Sequence, residues 1–333
     1  MIVLGIESTA HTFGVGIVSD EPPHILSDER VNYVPSKGGI HPREASLFFI
    51  SNASKVLKEA LVKAGVGIQA VDGIAVALGP GLGPCLRVGA TVARALATYF
   101  RKPLIPVNHA VAHIEVGKLT SKFKDPLIVY LSGGNTMILA YSDGRYRVFG
   151  ETLDIALGNF MDTFVREVGL APPYVVGGVH KLDLCAEGGS NFVDLPYVIK
   201  GQDVSFSGLL TAALRVYKEG KHELRDICYS VREVAYSSIA EVVERGLAHT
   251  KKGELLVVGG VAASKALRRK FEMLSEVRGV KLGIVDPKYA VDNGVMIGWT
   301  GLLMLKHGIT VEPDKAYIRQ RWRPDSVDVP WMT

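Results

Sequence analysis

Cysteine is scarce in this chain of 333 residues: Cys85, Cys185 and Cys228 are widely spaced and odd in number. That usage builds neither a disulfide framework nor a cysteine metal site, and it fits a reducing cytoplasm. Long apolar runs are missing too. Although 47% of the residues are hydrophobic, no run reaches the length of about 18 residues that a membrane span requires. The start, Met1-Ile-Val-Leu-Gly-Ile-Glu, enters a strand directly, without the basic region and cleavage site of a secretion signal. Charge of one sign is not in excess: a net +4 permits nucleic-acid contact without demanding it. Neither common phosphate fingerprint occurs. There is no G-x-x-x-x-G-K-[ST], and Gly79-Pro80-Gly81-Leu82-Gly83 lacks the third glycine and the nearby ribose acid of a dinucleotide site. The length suffices for one large or two medium domains with a real core.

What the chain does contain is a repeated pattern. Ile2–Ile6 reads as an apolar strand, Glu7-Ser8-Thr9 as a small polar turn, and Phe13–Val18 as a second strand. The same order returns with Leu127–Leu131, the turn Ser132-Gly133-Gly134-Asn135-Thr136, and Met137–Tyr141, followed by Arg145–Gly150. Hairpins with turns of small residues leave backbone N–H groups free to face an anion. Around them, helical spacing covers Ser46–Ala64, Leu86–Phe100, Asp226–Leu247 and Asn293–Leu305, and strands are expected at Val71–Ala77, Leu104–Val107, Leu255–Val258 and Lys281–Val285. Strands alternating with helices predict mainly parallel sheets with the hairpin strands antiparallel at one side, hence a duplicated α/β fold of two lobes, residues 1–125 and 126–333, the second with inserted helices, and a cleft between. The segment closing the chain is expected to be able to pack back on the first lobe.

The most informative short motif is Asn108-His109-Ala110-Val111-Ala112-His113. Asn108 reads as an N-cap, so the two histidines stand at i and i+4 of a helix and project from one face, able to reach one metal ion. A zinc protease of the H-E-x-x-H type needs a glutamate after its first histidine, and Ala110 stands there instead. The competing interpretation is a pair of histidines that caps and packs a helix start. Ser132-Gly133-Gly134-Asn135 after one strand, and Gly259-Gly260 between a strand and a helix, can each aim N–H groups at phosphate, and together they favour an ATP-type ligand. Taken singly, each is better explained as glycine relieving a tight turn.

Six stretches carry a resemblance: Gly5-Ile-Glu-Ser-Thr-Ala, Gly39-Ile-His-Pro-Arg-Glu-Ala-Ser, Gly79-Pro-Gly-Leu-Gly-Pro, Asn108-His-Ala-Val-Ala-His, Tyr130-Leu-Ser-Gly-Gly-Asn-Thr and Asp292-Asn-Gly-Val-Met-Ile-Gly. In this order, from residue 2 to about 323, the chain resembles the archaeal and eukaryotic tRNA N6-adenosine threonylcarbamoyltransferase family, the catalytic subunit of the KEOPS complex, in its form without a fused kinase-like extension. The resemblance implies the actin, Hsp70 and sugar-kinase (ASKHA) fold. It further implies transfer of the threonylcarbamoyl group from threonylcarbamoyl-AMP to N6 of adenosine 37 in tRNAs reading ANN codons. By the same carry-over His109, His113, Tyr130 and Asp292 form the catalytic metal site, with iron in the family. A histidine, phenolate and carboxylate set also suits Zn²⁺. ATP or the adenylate would lie on Tyr130, Leu131, Ser132, Gly133 and Gly134, with Asp162 and Asp183 on the ribose and Gly178 admitting the nucleotide closely. Two positions depart from the family pattern. Val179 follows Gly177-Gly178 where proline and then an acid are usual, which shifts Asp183, and Ser264 stands where the family has a longer asparagine. Implied partners are tRNA, the kinase-like KEOPS subunit and its small dimerising subunit, with no membrane.

Three other functions are weighed. A small-molecule kinase or ATPase of the same fold group would use a carboxylate base and Mg²⁺ and needs no histidine pair beside a tyrosine. An Hsp70-like module needs a substrate-binding domain, which is not expected here, and a metalloprotease lacks its glutamate. Basic residues at Lys265–Lys270 and at Lys306, Arg319, Arg321 and Arg323 are candidates for tRNA phosphates.

Overall fold

The computed structural model describes residues 1–35 and 39–332, and the chain divides into two compact units. One contains Met1–Leu119, Ser142–Tyr146 and the chain from Val291 onward, and the other contains Thr120–Tyr141 and Arg147–Ala290. Each is built on a five-stranded mixed sheet. The first sheet uses β1 (Ile2–Glu7), β2 (Thr12–Ser19), β3 (Ile25–Asn32), β4 (Gly73–Gly79) and β5 (Leu104–Asn108), in the order β3-β2-β1-β4-β5. The second uses β6 (Leu127–Leu131), β7 (Thr136–Ser142), β8 (Arg145–Glu151) and, after the short strands β9 (Val175–Val176), β10 (Val179–His180), β11 (Ile199–Lys200) and β12 (Asp203–Val204), the strands β13 (Glu254–Val258) and β14 (Lys281–Ile284). Its order is β14-β13-β6-β7-β8. Numbered within each sheet, both orders are third, second, first, fourth, fifth. The duplication that the two hairpins announce therefore extends to the whole sheet. The register agrees as well: β1 and β6 pair antiparallel with the strand that follows and parallel with the next strand to return.

The helices are α1 (Pro42–Ala64), α2 (Gly83–Phe100), α3 (His109–Ser121), α4 (Leu157–Glu167), α5 (Lys181–Ala186), α6 (Ser207–Glu219), α7 (Leu224–Thr250), α8 (Lys265–Arg278), α9 (Pro287–Ala290) and α10 (Gly294–Lys306). Helix α1 begins four residues before the apolar periodicity, because Pro42 is tolerated in a first turn whose N–H groups have no helical partner anyway. It stops where the sequence indicates, at Gly65 with φ of +67°.

In the first unit alternate residues of the sheet serve two different layers. Leu4, Ile6, Phe13, Ile17, Ile74 and Val76 enter the apolar cluster with Phe49 and Val56 of α1 and Val88 and Ala93 of α2. Gly5 and Gly16, paired across β1 and β2, face α10 instead, and the helix answers with Gly294 and Gly298. A methyl group on Gly5 or Gly16 would fall on the backbone of α10. The chain beyond α10 then runs along the same unit. Arg319 donates its N–H to Leu78 O at 2.6 Å, and the Trp331 indole N–H donates to Glu115 of α3 at 2.9 Å.

Two features differ from expectation. Cys185 on α5 and Cys228 on α7 form a disulfide, with Cα atoms 5.8 Å apart. A separation of 43 residues hides the pairing, because α5 packs along α7 and closes it through space. Secondly, the stretch between β8 and α7, for which the sequence supplied no element, contains α4, α5, α6 and four short strands.

Two measurements check this architecture. Gly5→Ala is expected to destabilise the protein by roughly 1–3 kcal/mol or more, as overpacking against backbone does, whereas Gly134→Ala, which meets nothing within 4 Å, should be close to neutral in the same urea titration. Thiol counting addresses the cysteines. Cys85 is buried, and burial pushes its thiol up to about 11. The unreduced native protein should therefore show no thiol reactive at pH 8, one after unfolding, and three after reduction.

Candidate metal and nucleotide site

Asn108 ends β5 and starts α3. Its Oδ1 accepts the N–H groups of Ala110 at 2.9 Å and Val111 at 3.1 Å, the N-cap that the sequence predicts. Its Nδ2 donates to Trp322 O at 3.1 Å, which settles the orientation of the amide. All residues from His109 to Lys118 are buried, so α3 is fixed on every side. Asp292 arrives on the short turn between α9 and α10. The neighbouring Asn293 caps that helix through Met296 N–H at 2.9 Å, and Arg30 donates to Asp292 O at 3.1 Å.

These two helix starts bring three donor groups together. His113 Nε2 lies 3.2 Å and His109 Nε2 3.5 Å from Asp292 Oδ1, and the two imidazoles meet edge to face with centroids 4.7 Å apart. His109, His113 and Asp292 form a group whose ligand atoms all lie within 4.8 Å of one another. Donors held at about 2.0–2.1 Å from one ion stand roughly 3–3.5 Å apart, so the residues present fit a metal. Behind His109, the Nδ1 atom faces Glu7 Oε2 at 2.9 Å.

The charges in this cluster set one another. Burial opposes protonation of His109, but the carboxylates of Glu7 and Asp292 outweigh it and raise the imidazole to about 9. Burial lowers His113, with the neighbouring His109 adding to the effect against the pull of Asp292. Asp292 is penalised by burial and yet held well below the usual carboxylate range by the two histidines. Tyr130, the remaining residue of the expected metal set, is buried on β6 in the other unit, where Asn135 Nδ2 lies 3.5 Å from its hydroxyl.

The expected nucleotide residues all belong to that second unit. Leu131 closes β6. In the following turn Ser132 N–H donates to Asn135 O at 2.8 Å and Asn135 N–H to Ser132 Oγ at 3.0 Å, while Gly133 and Gly134 at the tip are exposed. Gly259 adopts φ of +91°, where a Cβ would fall on Leu131 O, and leads through a short 3₁₀ turn to α8. Ser264 caps α8, its Oγ accepting Leu267 N–H at 3.3 Å. Asp162 on α4 is 40% exposed and takes Nε2 of His180 at 3.0 Å. Gly178, in the turn between β9 and β10, has φ of +79° and open space around it. Asp183 on α5 is buried and accepts a hydrogen bond from Tyr236 of α7 at 3.2 Å. Tyr236 also shares a hydrogen bond with Ser264, and burial followed by the charge of Asp183 pushes its hydroxyl well above the ordinary tyrosine range. Tyr236 thus joins two of the expected residues that the sequence separates.

Three of these participants are given no role by the sequence. Glu7 stands in the first of the six stretches of resemblance, as an acid ending an otherwise apolar strand, His180 follows Gly177-Gly178-Val179, and Tyr236 is one residue in a long helix. Among the basic residues, Lys270 pairs with Glu233 at 2.8 Å and Lys306 with Asp20 at 3.0 Å, whereas Lys265, Arg269 and Arg321 are exposed.

Replacement of both His109 and His113 by alanine should abolish stoichiometric metal in a protein that still unfolds cooperatively. Elemental analysis beside a thermal melt tests this, and retained metal would dissolve the assignment.

Residues 24–299 match the family TsaD: tRNA N6-adenosine threonylcarbamoyltransferase. A protein of that name from Metallosphaera sedula is 60% identical over 331 residues, 99% of each chain. Another from Aeropyrum pernix is 57% identical, covering 99% of this chain and 95% of its own. Among solved structures, full-length HypF in the phosphate- and nucleotide-bound form aligns with a TM-score of 0.62 at 12% identity, over 91% of this chain and 56% of that one. The activator of the 2-hydroxyisocaproyl-CoA dehydratase from Clostridium difficile, with bound ADPNP, aligns at 0.54 and 13% identity over 92% and 97%. At such identities these two speak for the fold alone, which is ASKHA. The chain belongs to the tRNA N6-adenosine threonylcarbamoyltransferase family.

Proposed function

We propose that this protein transfers the threonylcarbamoyl group from threonylcarbamoyl-AMP to N6 of adenosine 37 in tRNAs reading ANN codons, as the metal-dependent catalytic subunit of a KEOPS complex. The observation that carries this reading is the cluster of His109, His113 and Asp292 in a chain of this family. In the reaction N6 attacks the carbamoyl carbonyl carbon, the bond from that carbon to the phosphate oxygen breaks, AMP leaves, and the attacking nitrogen gives up a proton. Tyr130 would complete the ligand set, around iron or zinc. A bound metal supplies Lewis acidity to the carbonyl or the phosphate.

The chain's own residues have the remaining tasks. The N–H groups at Gly133 and Gly134, with Ser132 and the strand end at Tyr130 and Leu131, suit a phosphate. Asp162 keeps a carboxylate oriented by His180 for ribose hydroxyls, and Gly178 offers room without a side chain. Asp183 and Ser264, tied by Tyr236, complete the nucleotide's surroundings. Because each group is already placed by a neighbour, positioning accounts for much of the rate. Exposed Lys265, Arg269 and Arg321 suit tRNA phosphates, the kinase-like and small dimerising subunits would add to that grip, and the setting is the cytoplasm. Among the described residues no helix is long and apolar enough to cross a membrane. A kinase or ATPase of the same fold remains the alternative, and phosphorylation of a small substrate would reveal it.

The test mixes the metal-loaded protein with its partner subunits, threonylcarbamoyl-AMP and an ANN-decoding tRNA, and measures modified adenosine by mass spectrometry. Product should form and fall steeply as salt rises. Asp162→Ala, by removing charge-assisted hydrogen bonds of about 1.5–3 kcal/mol, should weaken ATP binding roughly ten- to a hundred-fold in calorimetry. Absence of product at low salt, with phosphoryl transfer in its place, would overturn the reading.

A further inference from the structure

We propose that Glu7 is a positioning residue of the metal centre, holding His109 from behind so that Nε2, and not Nδ1, faces the ion. This rests on the metal reading of His109, His113 and Asp292 and goes beyond it.

Glu7 is the last residue of β1, and its side chain is wholly buried. A buried carboxylate is costly unless paired and hydrogen-bonded. Here Oε1 accepts Thr9 N–H at 2.6 Å and Oε2 meets His109 Nδ1 at 2.9 Å, with no lysine or arginine bound to it among the described residues. The compensating charge or donor must therefore come from the imidazole. A carboxylate can only accept, so Nδ1 carries the hydrogen, and the lone pair of the neutral ring is left on Nε2. That is the nitrogen 3.5 Å from Asp292 Oδ1. His113 presents its own Nε2 to the same oxygen at 3.2 Å. Thr9 adds a hydroxyl 3.3 Å from Nδ1, on the same side as Glu7. Both rings thus offer equivalent nitrogens to one point, one of them because an acid of the first strand holds its back.

A carboxylate on the far nitrogen of a ligating histidine fixes the ring's orientation and raises its basicity, and loss of such a partner typically costs about 10–100-fold in metal affinity. Glutamine at this position keeps an acceptor of the same reach and loses the charge, so it separates orientation from charge.

The experiment uses the full chain with Zn²⁺ as the probe. Affinity is read by competition with a chromophoric chelator for the wild type, Glu7→Gln, Glu7→Ala and His109→Ala, beside the melting temperature of each metal-free protein. Glu7→Ala should bind Zn²⁺ about 10–100-fold more weakly, with Glu7→Gln between it and the wild type. A role confined to stability would lower the melting temperature and leave the affinity of the folded protein unchanged, which overturns the proposal. Nitrogen-15 histidine spectra of the Zn²⁺-loaded wild type give a readout that does not depend on any variant folding. Hydrogen on Nδ1 of His109 supports the assignment, and metal on Nδ1 overturns it. If His109→Ala binds Zn²⁺ as the wild type does, the metal reading itself fails. Loss in His109→Ala together with wild-type affinity in Glu7→Ala refutes only the role of Glu7.

Discussion

The geometry of the first unit depends on one close approach. Helix α10 lies with its backbone directly on the strands β1 and β2, glycine against glycine, at Gly5, Gly16, Gly294 and Gly298. No side chain intervenes, so the depth of the helix is set by backbone van der Waals contact, a steep and unforgiving constraint. Asp292 and its neighbour Asn293 stand at the start of that helix. The position of the carboxylate is consequently fixed by the sheet, while the histidines are fixed by α3 and its cap at Asn108. Two rigid helix starts, each anchored on the same sheet, deliver three donors to one point.

That point is electrostatically balanced. Two carboxylates, Glu7 and Asp292, bracket His109, and Asp292 also meets His113. The result is an uneven pair: the fields of the acids favour protonation of His109, and burial disfavours it at His113. Without a metal, the cluster satisfies its own buried charges, which lets the unit fold with the site already assembled.

Much of this was legible in the sequence, and the limits have physical causes. Periodicity and capping located α3, α7 and α10, because each has an Asn cap, an apolar stripe or both. The hairpins disclosed the duplication since their turns carry small polar residues at equal places. The i and i+4 spacing gave the histidine pair, but only the family resemblance gave Asp292, which is nearly 180 positions away (His113 to Asp292). Glu7 illustrates what periodicity misses. Its importance comes from a partner, His109, on another strand-to-helix junction, and no local pattern encodes that meeting. The Cys185–Cys228 pairing was lost for the same reason. Helix α4, by contrast, is legible in the sequence: Leu157, Phe160, Met161, Phe164 and Val165 form a regular buried stripe.

The duplicated hairpins also show how one local structure serves two chemistries. In the first, the turn after β1 is closed by a side chain: Glu7 takes Thr9 N–H, and its other oxygen goes to His109. The turn is thereby sealed and spends its polarity on a buried imidazole. In the second, Ser132 and Asn135 satisfy one another, and the two glycines between them are exposed. That turn is suited to an anion, which the first could not accept beside a buried carboxylate. An acid at the end of the first strand, against Leu131 and Ser132 at the end of its counterpart, is enough to separate them. Divergence at a few turn residues, on sheets of unchanged order, accounts for a buried carboxylate–imidazole pair in one unit and an open glycine turn in the other.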